Sequence, residues 1–242
     1  MDRDVYDRMN TLEARHWWFV ARRDMIEALI RRRVQLPADA RILEAGCGSG
    51  GNLALLQMFG QVDGFEYDDT ARADAIRKSG LDIAFGALPD QVPFEGQTYD
   101  LIGLFDVLEH VEPDAASLRA LAARLRPGGK LLVTVPAFPF LWSKHDEAHH
   151  HFRRYTRASL SRVAAEAGLK MTYGTYFNTL LFPLAITARA VKTLTGSDAP
   201  DDTMPPGWLN SAMRHIFGAE RFVLGRIPLP VGLSLGAVLE KA

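Results

Sequence analysis

Three glycines at alternate positions, Gly46, Gly48 and Gly50, follow the apolar run Arg41-Ile42-Leu43 and precede the helix-like Gly51-Asn52-Leu53-Ala54-Leu55-Leu56. Glycines so spaced let a strand-to-helix turn bring bare backbone against a ligand. At the carboxyl edge of a parallel sheet such a turn builds a nucleotide-type pocket. The spacing departs from G-x-G-x-x-G, and no Lys-Ser or Lys-Thr follows as in a phosphate loop, so a pyrophosphate is not the indicated ligand. Cys47, the one cysteine, stands inside the turn with no base beside it in sequence, and reads as a small turn residue rather than a nucleophile.

Four of the seven histidines, His145, His149, His150 and His151, fall together in the segment 142–155. Imidazole near its ordinary pKa moves protons at neutral pH, which is the chemistry of a general base for an oxygen or nitrogen nucleophile. With Asp146 these side chains could instead chelate a divalent cation. Their spacing matches no closed structural zinc site, and no metal is expected. The plainer alternative is that they bond the loop to itself and cap the next helix. A third group, Tyr6, His16, Trp17, Trp18 and Phe19 with Arg22 and Arg23, forms an aromatic and basic knot that reads as a flap over the pocket. Helical spacing also suits core packing, and Trp17 and Trp18 cannot share one helix face.

Residues 5–33 read as an amphipathic helix, closed by Arg31-Arg32-Arg33 against the negative end of its dipole and stopped by Pro37. Strand-like runs follow at 41–45, 61–66, 82–85, 100–105, 130–135, 171–176 and 233–239, with helix-like runs at 51–58, 69–79, 113–125 and 156–167 between them. Such alternation argues for an α/β fold with a parallel sheet covered on both faces. Asp114 and Thr156 are placed to start helices, while Pro127-Gly128-Gly129 and Gly168 are placed to stop them. Two connections exceed what the alternation needs, 136–155 and 178–230, and long connections of this kind are usually lids or binding surfaces.

A net charge of −1 provides no basic field for nucleic acid, and no nucleic-acid partner is expected. Apolar content of 48 % with 24 % charged residues suits a globular chain. A lone thiol and a charged Met1-Asp2-Arg3-Asp4 start point to the cytoplasm rather than to a secreted, disulfide-bonded protein. The uncharged stretch Met171 to Ala188 is interrupted by Gly174, Asn178 and Pro183. A membrane span, which needs about 20 mainly apolar residues, is not expected there.

In order along residues 38–176 the chain resembles the class I S-adenosylmethionine-dependent methyltransferases of the small-molecule and quinone-type group. The glycine turn with Glu44 matches the first motif, Val62-Asp63-Gly64-Phe65-Glu66 the second, and Leu88-Pro89 with Val92-Pro93-Phe94 the third. Tyr99-Asp100-Leu101-Ile102 through Phe105-Asp106-Val107-Leu108-Glu109-His110 matches the fourth strand and its tip. Leu125-Arg126-Pro127-Gly128-Gly129 matches the approach to the fifth. The resemblance implies a doubly wound, mostly parallel seven-stranded Rossmann-like sheet in a single domain, 1–242. It divides into an N-terminal helical lid (1–37), a cofactor-binding half (38–135), an acceptor loop (136–155) and a C-terminal half (156–242) holding the helical insertion 178–230. S-adenosyl-L-methionine is then the cofactor. Glu66, 16 residues after Gly50, would clasp its ribose. Glu44, Gly46, Cys47 and Gly48 would border its amino-acid portion, Leu88 its adenine, Phe105 and Asp106 its methionine part, and Arg22 its carboxylate.

By the same resemblance His145 and His151 are the informative histidines of the acceptor loop, with Trp142, Arg153, Arg154, Tyr155 and Trp18 as acceptor contacts. His151, His145 or His110 is the expected general base. The expected reaction is methyl transfer to a small molecule at oxygen or nitrogen. The alternatives are a quinone- or lipid-modifying methyltransferase at a membrane surface and a module that binds the cofactor without transferring methyl. The insertion, with Leu180-Leu181-Phe182-Pro183-Leu184 beside Arg189, Lys192, Arg214, Arg221 and Arg226, would serve as peripheral membrane contact, homodimer interface or helical packing.

Overall fold

The computed structural model describes residues 10–195 and 203–242, with side chains for all of these except 189–195. Tyr6, residues 5–9 of the expected first helix, and the side chains of Arg189 and Lys192 lie outside the described residues. The helices are α1 (Trp17–Arg33), α2 (Leu53–Gln57), α3 (Asp69–Ser79), α4 (Asp114–Ala123), α5 (Lys144–Ala148), α6 (Arg157–Glu166), α7 (Phe182–Thr195) and α8 (Gly207–Ala219). The strands are β1 (Arg41–Ala45), β2 (Gln61–Glu66), β3 (Ile83–Phe85), β4 (Tyr99–Phe105), β5 (Leu125–Pro136), β6 (Leu169–Phe177) and β7 (Ser234–Lys241). They form one seven-stranded sheet in the order β3-β2-β1-β4-β5-β7-β6, with β7 antiparallel to both neighbours and the other pairings parallel.

Successive strand residues point to opposite faces, which explains why the strands are apolar throughout. Ile42, Leu101 and Leu132 enter one core with Met25 and Ile26 of α1, Leu53 of α2 and Phe217 of α8. Leu43, Ile102 and Leu131 enter the other, with Leu118 and Leu121 of α4 and Leu160 and Val163 of α6. β1 pairs with β2 on one side and β4 on the other, so the strand order reverses there and a crevice opens at the carboxyl ends. The loops on either side of that crevice nearly touch. A Cβ added at Gly46, where φ is +69°, would lie 2.9 Å from a methyl group of Val107.

The first helix starts at Trp17 and does not run unbroken through 5–33. The Leu12 carbonyl accepts from the Arg15 and His16 amides (2.9 and 2.8 Å), turning the chain, and the His16 ring then caps the new helix by accepting from Trp18 N–H. Another open amide of the first turn, Trp17 N–H, donates to Asn210 Oδ1 of α8 (2.8 Å). Met25, Ile26 and Leu29 are fully buried, so α1 is core along its middle and borders the crevice with its first two turns, from Trp17 to Arg23. β5 begins earlier than expected because Leu125 already pairs with Tyr99. The chain bulges through Pro127-Gly128-Gly129 before the ladder resumes at Lys130. Inside the 136–155 connection lies α5, whose start Ser143 and Asp146 cap reciprocally. No helix among the described residues is long and apolar enough to cross a membrane.

Candidate active site

Beyond β1 the chain climbs through Gly46, Gly48 and Gly50 at φ +69°, +54° and +87°, backbone shapes that side-chain-bearing residues adopt at a cost. The turn borders a cavity of about 560 Å³, whose wall includes Gly46, Cys47, Gly48, Glu66, Leu88, Phe105, Asp106, Arg22 and Trp18. Glu66 closes β2 almost wholly buried. One oxygen accepts from Gly48 N–H (2.8 Å) and the other from Asp68 N–H (2.9 Å). Burial pushes its carboxyl up, and those backbone donors pull it back. A carboxylate has about four acceptor sites, so acceptor capacity remains for a ligand hydroxyl. Burial and the neighbouring Glu44 and Glu66 push the Cys47 thiol up, which leaves it inert.

Around Gly48 the space is open: an added Cβ meets nothing within 4 Å. Gly48→Ala is therefore expected to fold with a loss of about 1 kcal/mol from its left-handed backbone. The new methyl and the shifted backbone should weaken S-adenosylhomocysteine binding by about tenfold or more, measured by calorimetry beside a thermal melt.

Glu44 does not face the cavity. It lies behind Asn52, which does, and accepts from Asn52 Nδ2 (2.8 Å) while its other oxygen has no partner. Burial raises its carboxyl to about 7. The unfolded chain releases this proton near pH 4.5. The folded chain keeps it to about 7, so stability falls as pH rises through that window. Glu44→Gln, which keeps the Asn52 bond, should remove a loss of about 3 kcal/mol between pH 5 and 8, read by urea denaturation at the two pH values. Arg22, expected opposite a cofactor carboxylate, is ion-paired with Asp106, reaches Asn52 Oδ1 at 3.4 Å and lies over the Trp18 ring.

A second cavity of about 550 Å³ adjoins the first, and Trp18, Phe19, Asp106 and His110 belong to both walls. One end is polar, with Glu109, His110, His145, His149, His151 and Arg154; elsewhere Leu181, Leu184, Ala185, Leu209 and Met213 of the insertion line it. Its polar end is assembled around Asp146, which is fully buried. His151 Nδ1 meets Asp146 at 2.9 Å, and Arg154 Nε donates to the same oxygen at 2.7 Å. These bonds overcome burial and hold the Asp146 carboxyl well below the usual range. Burial, reinforced by neighbouring histidines, drops His110 to about 3 and His149 to about 2. Burial also raises Glu109 well above its ordinary value, and Asp106 adds to this. The His110 and His151 rings meet edge to face at 4.6 Å.

A pattern described as a methyltransferase domain matches residues 17–173 of this sequence. The chain belongs to the class I S-adenosylmethionine-dependent methyltransferases. It is 28 % identical over 156 residues to a ubiquinone biosynthesis O-methyltransferase of Xanthomonas axonopodis pv. citri, covering 56 % of this chain and 64 % of that one. It is 29 % identical over 182 residues to a malonyl-[acyl-carrier protein] O-methyltransferase of Enterobacter lignolyticus, covering 72 % and 70 %. Two of the curated relatives are thus matched over 62 % and 64 % of their own length. In architecture the chain is similar to a TehB-like S-adenosylmethionine-dependent methyltransferase from Corynebacterium glutamicum, with 18 % identity, TM-score 0.55, and coverage of 92 % of this chain and 87 % of that one.

For this methyltransferase-family chain, S-adenosylmethionine is the cofactor, and the first cavity fits it: open backbone at Gly48, spare acceptor sites on Glu66 and apolar walls at Leu88 and Phe105. Of the expected acceptor contacts, Trp18 and Arg154 line the second cavity, and Arg154 spends its charge on Asp146. Trp142, Arg153 and Tyr155 line neither cavity. Trp142 is a surface residue, Arg153 pairs with Asp114, and buried Tyr155 donates its hydroxyl to Asp114 (2.9 Å). Arg153 and Tyr155 thus turn toward α4, while Arg154 between them turns to Asp146. Among the described residues, donor atoms of Glu109, His110 and His151 lie within 4.8 Å of one another. That group shares only His151 with the metal set the spacing suggested, since Asp146 is already taken by Arg154. Sequence reasoning missed Asn52, Glu109 and Asn178 in the cavity walls, and a Glu13 carboxylate that accepts from Ser49 Oγ (2.7 Å). The reciprocal cap of Ser143 and Asp146 could have flagged Asp146; nothing local flags the others.

Proposed function

We propose that this chain transfers the methyl group of S-adenosylmethionine to an oxygen or nitrogen atom of a small, uncharged molecule with an apolar body. The supporting observation is the junction of the glycine-turn cavity and the histidine-ended cavity at Trp18, Phe19, Asp106 and His110. When bound, the cofactor supplies an electrophilic methyl carbon. Glu66 holds the ribose hydroxyls, Gly46, Cys47 and Gly48 present backbone to the amino-acid portion, and Asn52, oriented by Glu44, borders it. Leu88 and Phe105 flank the remainder. His151 removes the acceptor proton at Nε2 while Asp146 fixes its Nδ1–H and offsets the imidazolium charge. Arg154 keeps Asp146 ionised and in place. His110 stays neutral beside it, and Trp18 with Phe19 excludes water. Holding the partners in line supplies most of the acceleration in such a displacement.

The polar end of the acceptor cavity is electrically balanced. Asp106 is paired with Arg22 and Asp146 with Arg154, while burial lowers His110 and His149 and raises Glu109, each toward its neutral form. A bare carboxylate or ammonium would lose its hydration there without gaining a counter-charge. Both named relatives are O-methyltransferases, which favours oxygen over nitrogen as the methylated atom. Incubation with methyl-labelled cofactor and a panel of apolar alcohols, phenols, amines and carboxylates tests this. Label should enter the hydroxyl compounds first. No label in any of them, with cofactor binding intact, would leave the module that binds without transferring.

A second reading, action on a quinone or lipid acceptor at a membrane surface, is favoured by one feature. Leu184 lines the acceptor cavity yet is 57 % exposed, and Leu180 and Trp208 are exposed on the same insertion. Flotation with liposomes of mixed neutral and anionic lipids should then carry the chain upward, and Trp208→Ser with Leu184→Ser should abolish it.

A further inference from the structure

Asn178 follows β6 in the wall of the acceptor cavity, fully buried, and neither its amide nitrogen nor its amide oxygen has a partner. Its placement is held from outside the cavity. The backbone takes φ +59°, a left-handed shape asparagine tolerates better than most residues. Directly after it, Thr179 and Leu180 donate their N–H groups to one oxygen of buried Glu220 (2.7 and 2.8 Å). That clamp fixes the entry into α7 and leaves the Asn178 amide little freedom to seek another partner.

An unpaired buried amide is costly to a fold, and such groups are rare in native proteins. The cavity wall contributed by the insertion, at Leu181, Leu184, Ala185 and Met213, offers only apolar side chains. The missing partner is therefore supplied by what fills the cavity. A carboxamide presents one acceptor oxygen and two donor hydrogens, so a hydroxyl satisfies it in either sense. The His151 end of the same cavity already accounts for the hydroxyl that reacts.

We propose that Asn178 is the specificity-determining residue of the acceptor site, hydrogen-bonding a second uncharged oxygen on an acceptor whose apolar body lies along α7 and α8. This rests on the second cavity being the acceptor site. It adds a requirement that the earlier reading lacks: two oxygens, of which one is methylated and the other recognised.

The test uses the full chain saturated with S-adenosylhomocysteine, whose binding is first measured by calorimetry and reports on the cofactor cavity alone. The probes are 1-decanol, 1,2-decanediol and 1,4-decanediol, followed by fluorescence of Trp17 and Trp18, which both line the acceptor cavity. At least one diol should bind about tenfold more tightly than decanol, the scale of one buried hydrogen bond. In Asn178→Gly, which accepts the same backbone and lacks the amide, the advantage should fall to about one while decanol affinity stays within twofold. Asn178→Asp, isosteric but charged, should weaken decanol and diols alike. Diols no better than decanol in the native chain, or an advantage that survives Asn178→Gly, overturns the assignment of Asn178 alone. Failure of every probe to bind, with S-adenosylhomocysteine bound normally, overturns the acceptor cavity and this inference with it.

Discussion

His151→Ala is expected to lower kcat by about 10²–10⁴-fold with little change in cofactor affinity, the usual span for losing a general base. The geometry singles out this imidazole among its neighbours. Its Nδ1 is fixed 2.9 Å from Asp146, which is itself locked by Arg154 and by Ser143 N–H at 2.8 Å. Burial makes His110 and His149 poor bases, and the His145 ring packs against His149 at 4.1 Å. Asp146→Asn should then cost about 10–100-fold, since it keeps the shape but removes the compensating charge. A second variant at each position separates the roles. His151→Gln, which keeps a polar side chain but cannot take up the proton, should lose as much rate as His151→Ala. His145→Ala should retain most of the rate. Near-normal turnover in His151→Ala would remove the base from this position.

Glu66→Ala should raise the Kd for S-adenosylhomocysteine by about 10²–10³-fold. Two hydrogen bonds to a buried carboxylate are each worth about 1.5–3 kcal/mol, and roughly 1.4 kcal/mol changes affinity tenfold. The side chain also holds the turn, because Gly48 and Asp68 donate their N–H groups to it. Glu66→Gln tests the two contributions apart. It retains one acceptor oxygen, and its expected loss is about tenfold, with a melting temperature close to the native value. Calorimetry that finds Glu66→Ala within threefold of native would remove the sugar from this carboxylate.

The cofactor half of the molecule was legible because each of its functions is local. A left-handed glycine must stand where the turn needs it, and an acidic residue must close the second strand, so Gly46, Gly48 and Glu66 declare themselves by type and spacing. The alternating strands gave the sheet for the same reason, since burial on both faces makes each one apolar along its length. Element ends were less legible. The break before Trp17 depends on a capping ring and on Asn210, nearly two hundred residues away in sequence.

The acceptor half yielded less. Its histidines were visible as a cluster, but nothing in their order tells His151 from His145, because what distinguishes them is a contact with Asp146 inside a short helix. Arg153, Arg154 and Tyr155 are consecutive, yet they reach Asp114, Asp146 and Asp114 in turn, and only Arg154 lines a cavity. Glu109 and Asn178 look like ordinary polar residues until the fold buries them, Asn178 with no side-chain partner and Glu109 with one oxygen unpartnered. By itself the chain determined the sheet, the glycine bend and the acidic strand end, all consequences of backbone shape and hydrophobic period. Tertiary packing alone decided which imidazole has a carboxylate behind it, which charges are cancelled, and which amide is left facing a ligand. His151 and Arg154 lie only five and eight residues from Asp146, yet their contacts depend on how the loop folds, which neither spacing nor composition specifies.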